Sequence, residues 1–100
     1  MGEIEVGDHI VEWDDKKAAI NKKKHGISFE TAAEVFLDDN RIDDFDDFHS
    51  DDEDRIKVIG KVKLILVVIY TERRERFRLI SARLADKDEK EKYYGQYSYL

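Results

Sequence analysis

Cysteine is absent from this 100-residue chain. That excludes disulfides, thiolate nucleophiles and thiolate zinc sites, and it suits a reducing compartment. Proline is absent too, and no internal repeat or interdomain linker interrupts the sequence. A chain this short builds one domain around one modest core, so residues 1–100 are read as a single unit with 95–100 as a tail. Long hydrophobic runs are missing as well. The longest, Leu64 to Tyr70, falls far short of the about 20 residues a membrane-spanning helix needs. The first ten residues are acidic and lack a signal-peptide profile. Together these absences predict a soluble, cytoplasmic protein with no membrane partner.

Charge is what the chain has in quantity: 42% of residues are charged, with a formal net charge of −6. The charge is segregated. Residues 38–54 hold one arginine against ten acids, whereas residues 55–83 hold nine Lys/Arg against two acids. The overall acidity argues against a domain-wide nucleic-acid footprint. The local excess argues for one anion-binding face, because the local field decides what docks there.

Periodicity supplies the elements. Ile10–Trp13 has strand character, and Asp14 reads as the N-cap of a helix over Lys16–Lys24 that stops at Gly26. Trp13, Ile20 and Ile27 recur at seven-residue spacing and define a narrow seam. Ser28 caps a second helix in which Phe29, Ala32, Ala33, Phe36 and Leu37 form one apolar face. A first sheet strand is expected within Arg41–Phe48, another at Arg55–Gly60, then a turn at Gly60–Lys63. Leu64–Tyr70 is continuously apolar and β-branched, as in a strand covered on both faces. After a charged turn at Glu72–Glu75, Arg76–Arg83 alternates. Phe77, Leu79, Ser81 and Arg83 are expected on one face, and Arg76, Arg78, Ile80 and Ala82 on the other. Ala85–Tyr94 is a helix candidate rich in Lys/Glu pairs. Helices followed by strands argue for an α+β fold, with two N-terminal helices packed on a mainly antiparallel sheet and a C-terminal helix.

Four motifs then occur in order. Glu12-Trp13-Asp14, Lys17, Asn21, Lys24-His25-Gly26-Ile27-Ser28-Phe29 and Ala33-Glu34-Val35-Phe36 form the first. His49-Ser50-Asp51-Asp52-Glu53-Asp54-Arg55 with Ile59-Gly60 form the second. Val67-Val68-Ile69-Tyr70-Thr71-Glu72 form the third, and Arg76 with Ile80-Ser81-Ala82-Arg83 the fourth. This series, from about Val11 to Tyr94, resembles the BrnT toxins. The resemblance implies a RelE-like fold and a ribonuclease toxin of a type II toxin–antitoxin pair, working without cofactor. It also implies neutralisation by a BrnA-like ribbon-helix-helix antitoxin, with operator DNA contacted only through that antitoxin. BrnT-like chains commonly continue into a strongly basic helix, whereas here Leu84–Lys92 is slightly acidic. A non-catalytic BrnT-fold protein that binds a regulatory partner is therefore the alternative.

Cleaving RNA without a metal needs a base for the 2′-hydroxyl, cations for the charge growing on phosphorus, and an acid for the leaving oxygen. Arginine suits the second role because its planar fork grips phosphate and stays charged. Arg83, at a strand end, is the leading candidate, supported by Arg78 and Arg76. Solvated strand positions, or an Arg83 paired with the acidic loop, are the plainer reading. Arg73, Arg74 and Lys63 are read as general RNA-binding cations. His25, at a helix C-terminus beside Lys24, reads either as an acid or phosphate contact or as a capping histidine. His49 reads as a base, as a metal ligand with Asp51 and Glu53, or as a loop residue. Tyr70 either orients the sugar-phosphate or closes the edge of the core. The acids of Asp43–Asp54 lack the glycine and terminal glutamate of a calcium loop, so no metal site is assigned. Tyr93, Tyr94, Tyr97 and Tyr99 offer base-stacking surfaces, packing for the last helix, or an antitoxin contact.

Overall fold

The apolar run beginning at Leu64 becomes the strand that separates two cores. In the computed structural model, residues 1–45 and 54–96 are described. Six strands form one sheet: β1 (Gly2–Val6), β2 (His9–Trp13), β3 (Ile42–Phe45), β4 (Ile56–Val62), β5 (Leu64–Arg73) and β6 (Arg76–Leu84). Their order across the sheet is β1-β2-β6-β5-β4-β3. All neighbours are antiparallel except β2 and β6, which run parallel over three residue pairs. The helices are α1 (Asp15–His25), α2 (Phe29–Ala33), a 3₁₀ turn at Glu34–Leu37, and α3 (Lys87–Gly95).

On one face, Phe29, Ala32, Ala33, Val35 and Phe36 pack against Val11, Trp13, Val58, Leu66, Val68, Tyr70, Leu79 and Ala82. On the other face, Ala85 and Tyr93 cover Ile59, Ile65 and Val67. Alternate residues of β5 thus enter opposite cores, as its unbroken apolar run implies. The second core is the smaller, because α3 covers β4, β5 and only the Arg83 end of β6. Among the described residues, no helix covers that face beside β1, β2 and the Arg76–Arg78 end of β6.

Local chemistry sets the helix ends. The Asp14 carboxylate accepts the Lys17 N–H at 2.9 Å, and Gly26, at φ 75, closes α1 in the left-handed region favoured by glycine. Lys22, Lys23, Lys24 and His25 fill the last turn, where cations complement the helix dipole. The expected seam is not what holds α1. Ile20 is 57% exposed, and the helix's buried residue is Asn21. Its amide donates to Ile27 O at 3.1 Å and to Ala82 O at 2.9 Å, and it accepts from Ala82 N at 3.0 Å. Asn21 therefore stands in for a neighbouring strand where β6 has run past β2. In the second helix Phe36 is buried but Leu37 is exposed, since the chain tightens to 3₁₀ geometry before reaching it.

Several boundaries differ from expectation. The Glu3–Val6 alternation forms β1, which pairs with β2 through a two-residue turn at Gly7-Asp8. β4 continues to Val62, so the expected Gly60–Lys63 turn shrinks to Lys63, at φ 63. The charged turn shrinks likewise to Arg74 and Glu75. Gly95 closes α3, and Gln96 donates to Asn40 O at 2.8 Å, so neither belongs to a loose tail. Asp46–Glu53 and Tyr97–Leu100 lie outside the described residues.

Candidate nucleic-acid interface

The strand facing of β6 corrects the sequence reading. Ile69 pairs with Ser81 but Tyr70 pairs with Leu79, so Ile80 is an extra residue in a β-bulge. One extra residue inverts the alternation beyond it. Phe77, Leu79 and Ala82 all join the helix-covered core. Arg76, Arg78, Ser81 and Arg83 therefore share the opposite face, rather than dividing as a regular strand would divide them.

Register carries this face across the sheet. Glu3 pairs with Glu12, Glu12 with Arg78, and Arg78 with Thr71. In the next row Ile10 pairs with Arg76, and Arg76 with Arg73. Directly opposed like charges are destabilising in a sheet, so the Arg73–Arg76 pair needs nearby anions. Glu12 supplies one, 3.6 Å from Arg76 Nη1 and 3.3 Å from Arg78 Nη1, and Glu3 lies 3.3 Å from Arg76. These residues, with Arg73, Arg74, Met1 and Gly2, line an open concavity of about 830 Å3. Four guanidiniums around one hollow match the geometry that grips phosphate oxygens.

Arg83 lies farther along the same face, under α3. Its Nη1 and Nη2 donate to the two Glu89 carboxylate oxygens at 2.7 and 2.9 Å. Lys57 reaches Glu89 Oε2 at 2.6 Å. The Arg83 hydrogen bonds, aided by the Asp86 N–H and Lys57, hold the Glu89 carboxyl far below its usual range despite burial. The same bonds raise Arg83 in turn. Asp86 and Glu89 also form the reciprocal capping box of α3. Arg83 is thus ion-paired with the terminal helix, while most of the acidic loop considered from sequence lies outside the described residues.

The other candidates are dispersed. Lys24 and His25 join Lys17, Ile20, Asn21, Ile80 and Ser81 around a separate groove of about 290 Å3. Lys63 stands at a third hollow of about 210 Å3, beside Val62, Leu64 and Leu84. Tyr70 is buried against Phe36 and Phe77, with ring centroids 4.9 Å apart in both pairs. Burial, with the nearby Asp43 and Glu72 carboxylates, pushes its hydroxyl up to about 12. His9 stacks on Phe77 at 4.5 Å and closes this aromatic cluster. His49, with Asp51 and Glu53, lies outside the described residues. Among the described residues, no three His, Asp or Glu side chains gather as a metal-binding group, and no helix is long and apolar enough to cross a membrane. Tyr93 is buried and donates to Asp38 at 2.6 Å, packing α3, while Tyr94 stays half exposed. Tyr97 and Tyr99 lie outside the described residues.

Three carboxylates of this face, Glu3, Glu12 and Glu89, were missed from sequence. Glu12 alternates with the apolar Val11 and Trp13, which marks it as lying on the opposite strand face. Glu89 follows Asp86 at capping-box spacing, which marks it as a helix-start carboxylate.

A family model described as the ribonuclease toxin BrnT of type II toxin–antitoxin systems matches residues 13–89. That span contains β2's last residue, every helix residue up to Glu89, and the whole of β3 to β6. Among solved structures, the crystal structure of the Brucella abortus ribonuclease toxin BrnT is similar, with a TM-score of 0.58 and 27% identity. The similarity covers 77% of this chain and 96% of that one. No curated protein matches. With most of its length matched by the family model and its fold shared with a BrnT crystal structure, the chain belongs to the BrnT family of ribonuclease toxins of type II toxin–antitoxin systems.

Proposed function

We propose that this protein is a RelE-like endoribonuclease toxin that cuts RNA without a metal and is held inactive by a BrnA-like ribbon-helix-helix antitoxin. The observation that carries this reading is the arginine-lined concavity formed by Arg73, Arg74, Arg76 and Arg78. Fixed guanidiniums supply, without a metal, the charge stabilisation that a pentacoordinate phosphorus requires. Arg83, on the same face, extends the cationic track toward α3. Lys24 and His25 contribute a second groove along α1, and Lys63 a distant cation at the β4–β5 turn. Operator DNA is reached only through the antitoxin. The test is cleavage of an RNA pool, free and in a bacterial translation extract, with a chelator present. Cleavage is expected, and Arg76→Ala with Arg78→Ala should abolish it. Full activity in that double variant would remove the concavity from the mechanism.

A second reading draws on the carboxylates. Arg76, Arg78 and Arg83 each sit beside Glu3, Glu12 or Glu89, which favours a BrnT-fold protein that binds its antitoxin without cutting RNA. Expression of the chain alone separates the two. Growth arrest that disappears in the Arg76/Arg78 double variant supports the nuclease, and unimpaired growth supports the binding protein.

A further inference from the structure

We propose that Glu12 is the general base of this site, taking the 2′-hydroxyl proton of the nucleotide whose phosphate Arg76 and Arg78 hold. The inference rests on the nuclease reading given above. Two carboxylates line the concavity. Glu3 stands on the edge strand with a side chain 60% exposed, whereas the Glu12 side chain is 12% exposed. Glu12 is fixed by parallel pairing, which places it directly beside Arg78 and one register step from Arg76. Base and cations are thus cross-strand neighbours, as the adjacent 2′-hydroxyl and phosphate of one nucleotide require.

Glu12 differs from Glu89 in what its oxygens already hold. Glu89 is engaged by both nitrogens of Arg83, by Lys57 and by the Asp86 N–H, all at 2.9 Å or less. Glu12 has single contacts at 3.3 and 3.6 Å and lines the hollow. A bound phosphodiester draws the two guanidiniums onto its own oxygens and brings a negative charge near the carboxylate. That frees the Glu12 oxygens, which otherwise pair with both arginines, to meet the 2′-hydroxyl.

The step balances on this chain's groups and water. A Glu12 oxygen takes the 2′-O–H proton as the 2′-oxygen bonds to phosphorus. The bond from phosphorus to the 5′-oxygen breaks, and that oxygen takes a proton from water. The resulting hydroxide reclaims the proton from Glu12. The products are a 2′,3′-cyclic phosphate and a 5′-hydroxyl end.

The test compares wild type, Glu12→Gln and Glu12→Asp on an RNA pool, free and in translation extract, between about pH 5 and 9. Wild-type cleavage should show an acidic limb. Glu12→Gln should cut about 100-fold more slowly or worse and lose that limb. Glu12→Asp should keep the limb at reduced rate, and it carries the test if the glutamine variant fails to fold. Binding to an uncleavable 2′-deoxy strand should be undiminished in Glu12→Gln, which has lost a repelling charge. Cleavage by Glu12→Gln at the wild-type rate, a slowed rate with the acidic limb intact, or a loss explained by weaker binding would each overturn the assignment. If wild type cuts and needs Arg76 and Arg78 but not Glu12, this inference alone fails. If wild type never cuts, the parent reading fails with it.

Discussion

Arg83 and Glu89 face each other across six residues of chain, with two nitrogen–oxygen contacts of 2.7 and 2.9 Å. The bulge at Ile80 turns Arg83 to this face, and the capping box holds Glu89 over it. The pair therefore ties the sheet to α3, and it also occupies the guanidinium assigned to RNA. Glu89→Gln should cost about 1–2 kcal/mol in urea denaturation, allowing for the half-exposed Arg83. Arg83→Ala should cost a similar amount, and the double variant little more than either alone. An additive double variant would show that the two act independently. RNA affinity separates fold from function here. Release of Arg83 in Glu89→Gln should tighten binding if Arg83 meets phosphate, and unchanged binding would assign it to the fold.

Acid stability should follow from the same carboxylate. Glu89 lies below its ordinary 4.5 because the Arg83 bonds, the Asp86 N–H and Lys57 outweigh burial. Asp38 lies below its ordinary 3.8: burial opposes its charge, but the Tyr93 hydroxyl and the Lys61 and Asn40 N–H groups more than offset it. A depressed carboxyl stabilises the fold above its unfolded pKa, and that stabilisation is lost as pH falls through the folded value. Denaturation midpoints should therefore fall as the pH drops from about 4.5 toward 2. The fall should be shallower in Glu89→Gln, and parallel curves for the two proteins would exclude Glu89 as the source.

How far the sequence disclosed this arrangement depended on how local each determinant was. Asp14, Gly26 and Ser28 cap helices through bonds three or four residues away, so their roles were legible directly. The two-sided burial of β5 was equally legible, because seven apolar residues in a row leave no polar face. The facing of Arg83 was not, because a bulge depends on how two strands register and leaves no mark in a regular alternation. The parallel pairing of β2 with β6, which brings Glu12 to Arg78, joins residues 66 positions apart. The Glu3–Val6 alternation before Gly7-Asp8 was a readable hairpin signal that the acidity of the segment masked.

Asn21 gives a direct measure of how a largely polar helix is anchored. Its side chain serves three buried backbone groups, one on Ile27 and two on Ala82. Asn21→Ala should destabilise the protein by about 2–3 kcal/mol, since those groups lose their partners out of reach of bulk water. Asn21→Asp keeps the acceptor for Ala82 N but loses both donated bonds, so it should be nearly as damaging. Thermal unfolding checks both. A loss within a few tenths of a kcal/mol would mean that α1 is held by its caps alone.

The β5–β6 turn places Arg74 at φ 51 and Glu75 at φ 68, between the paired residues Arg73 and Arg76. Two successive left-handed residues are what a type I′ hairpin turn demands, and Asn-Gly meets that demand with least strain. An arginine and a glutamate there each carry a steric penalty of about 1 kcal/mol. Replacing the pair (Arg74→Asn with Glu75→Gly) should raise the unfolding midpoint, because strain falls while the register is kept. It should also remove one cation from the rim of the concavity. If Arg74 meets phosphate, RNA binding weakens and its dependence on salt becomes shallower by about one phosphate contact. A stabilised variant with an unaltered salt slope would place Arg74 outside the RNA path and leave Arg73, Arg76 and Arg78 as the phosphate-binding set.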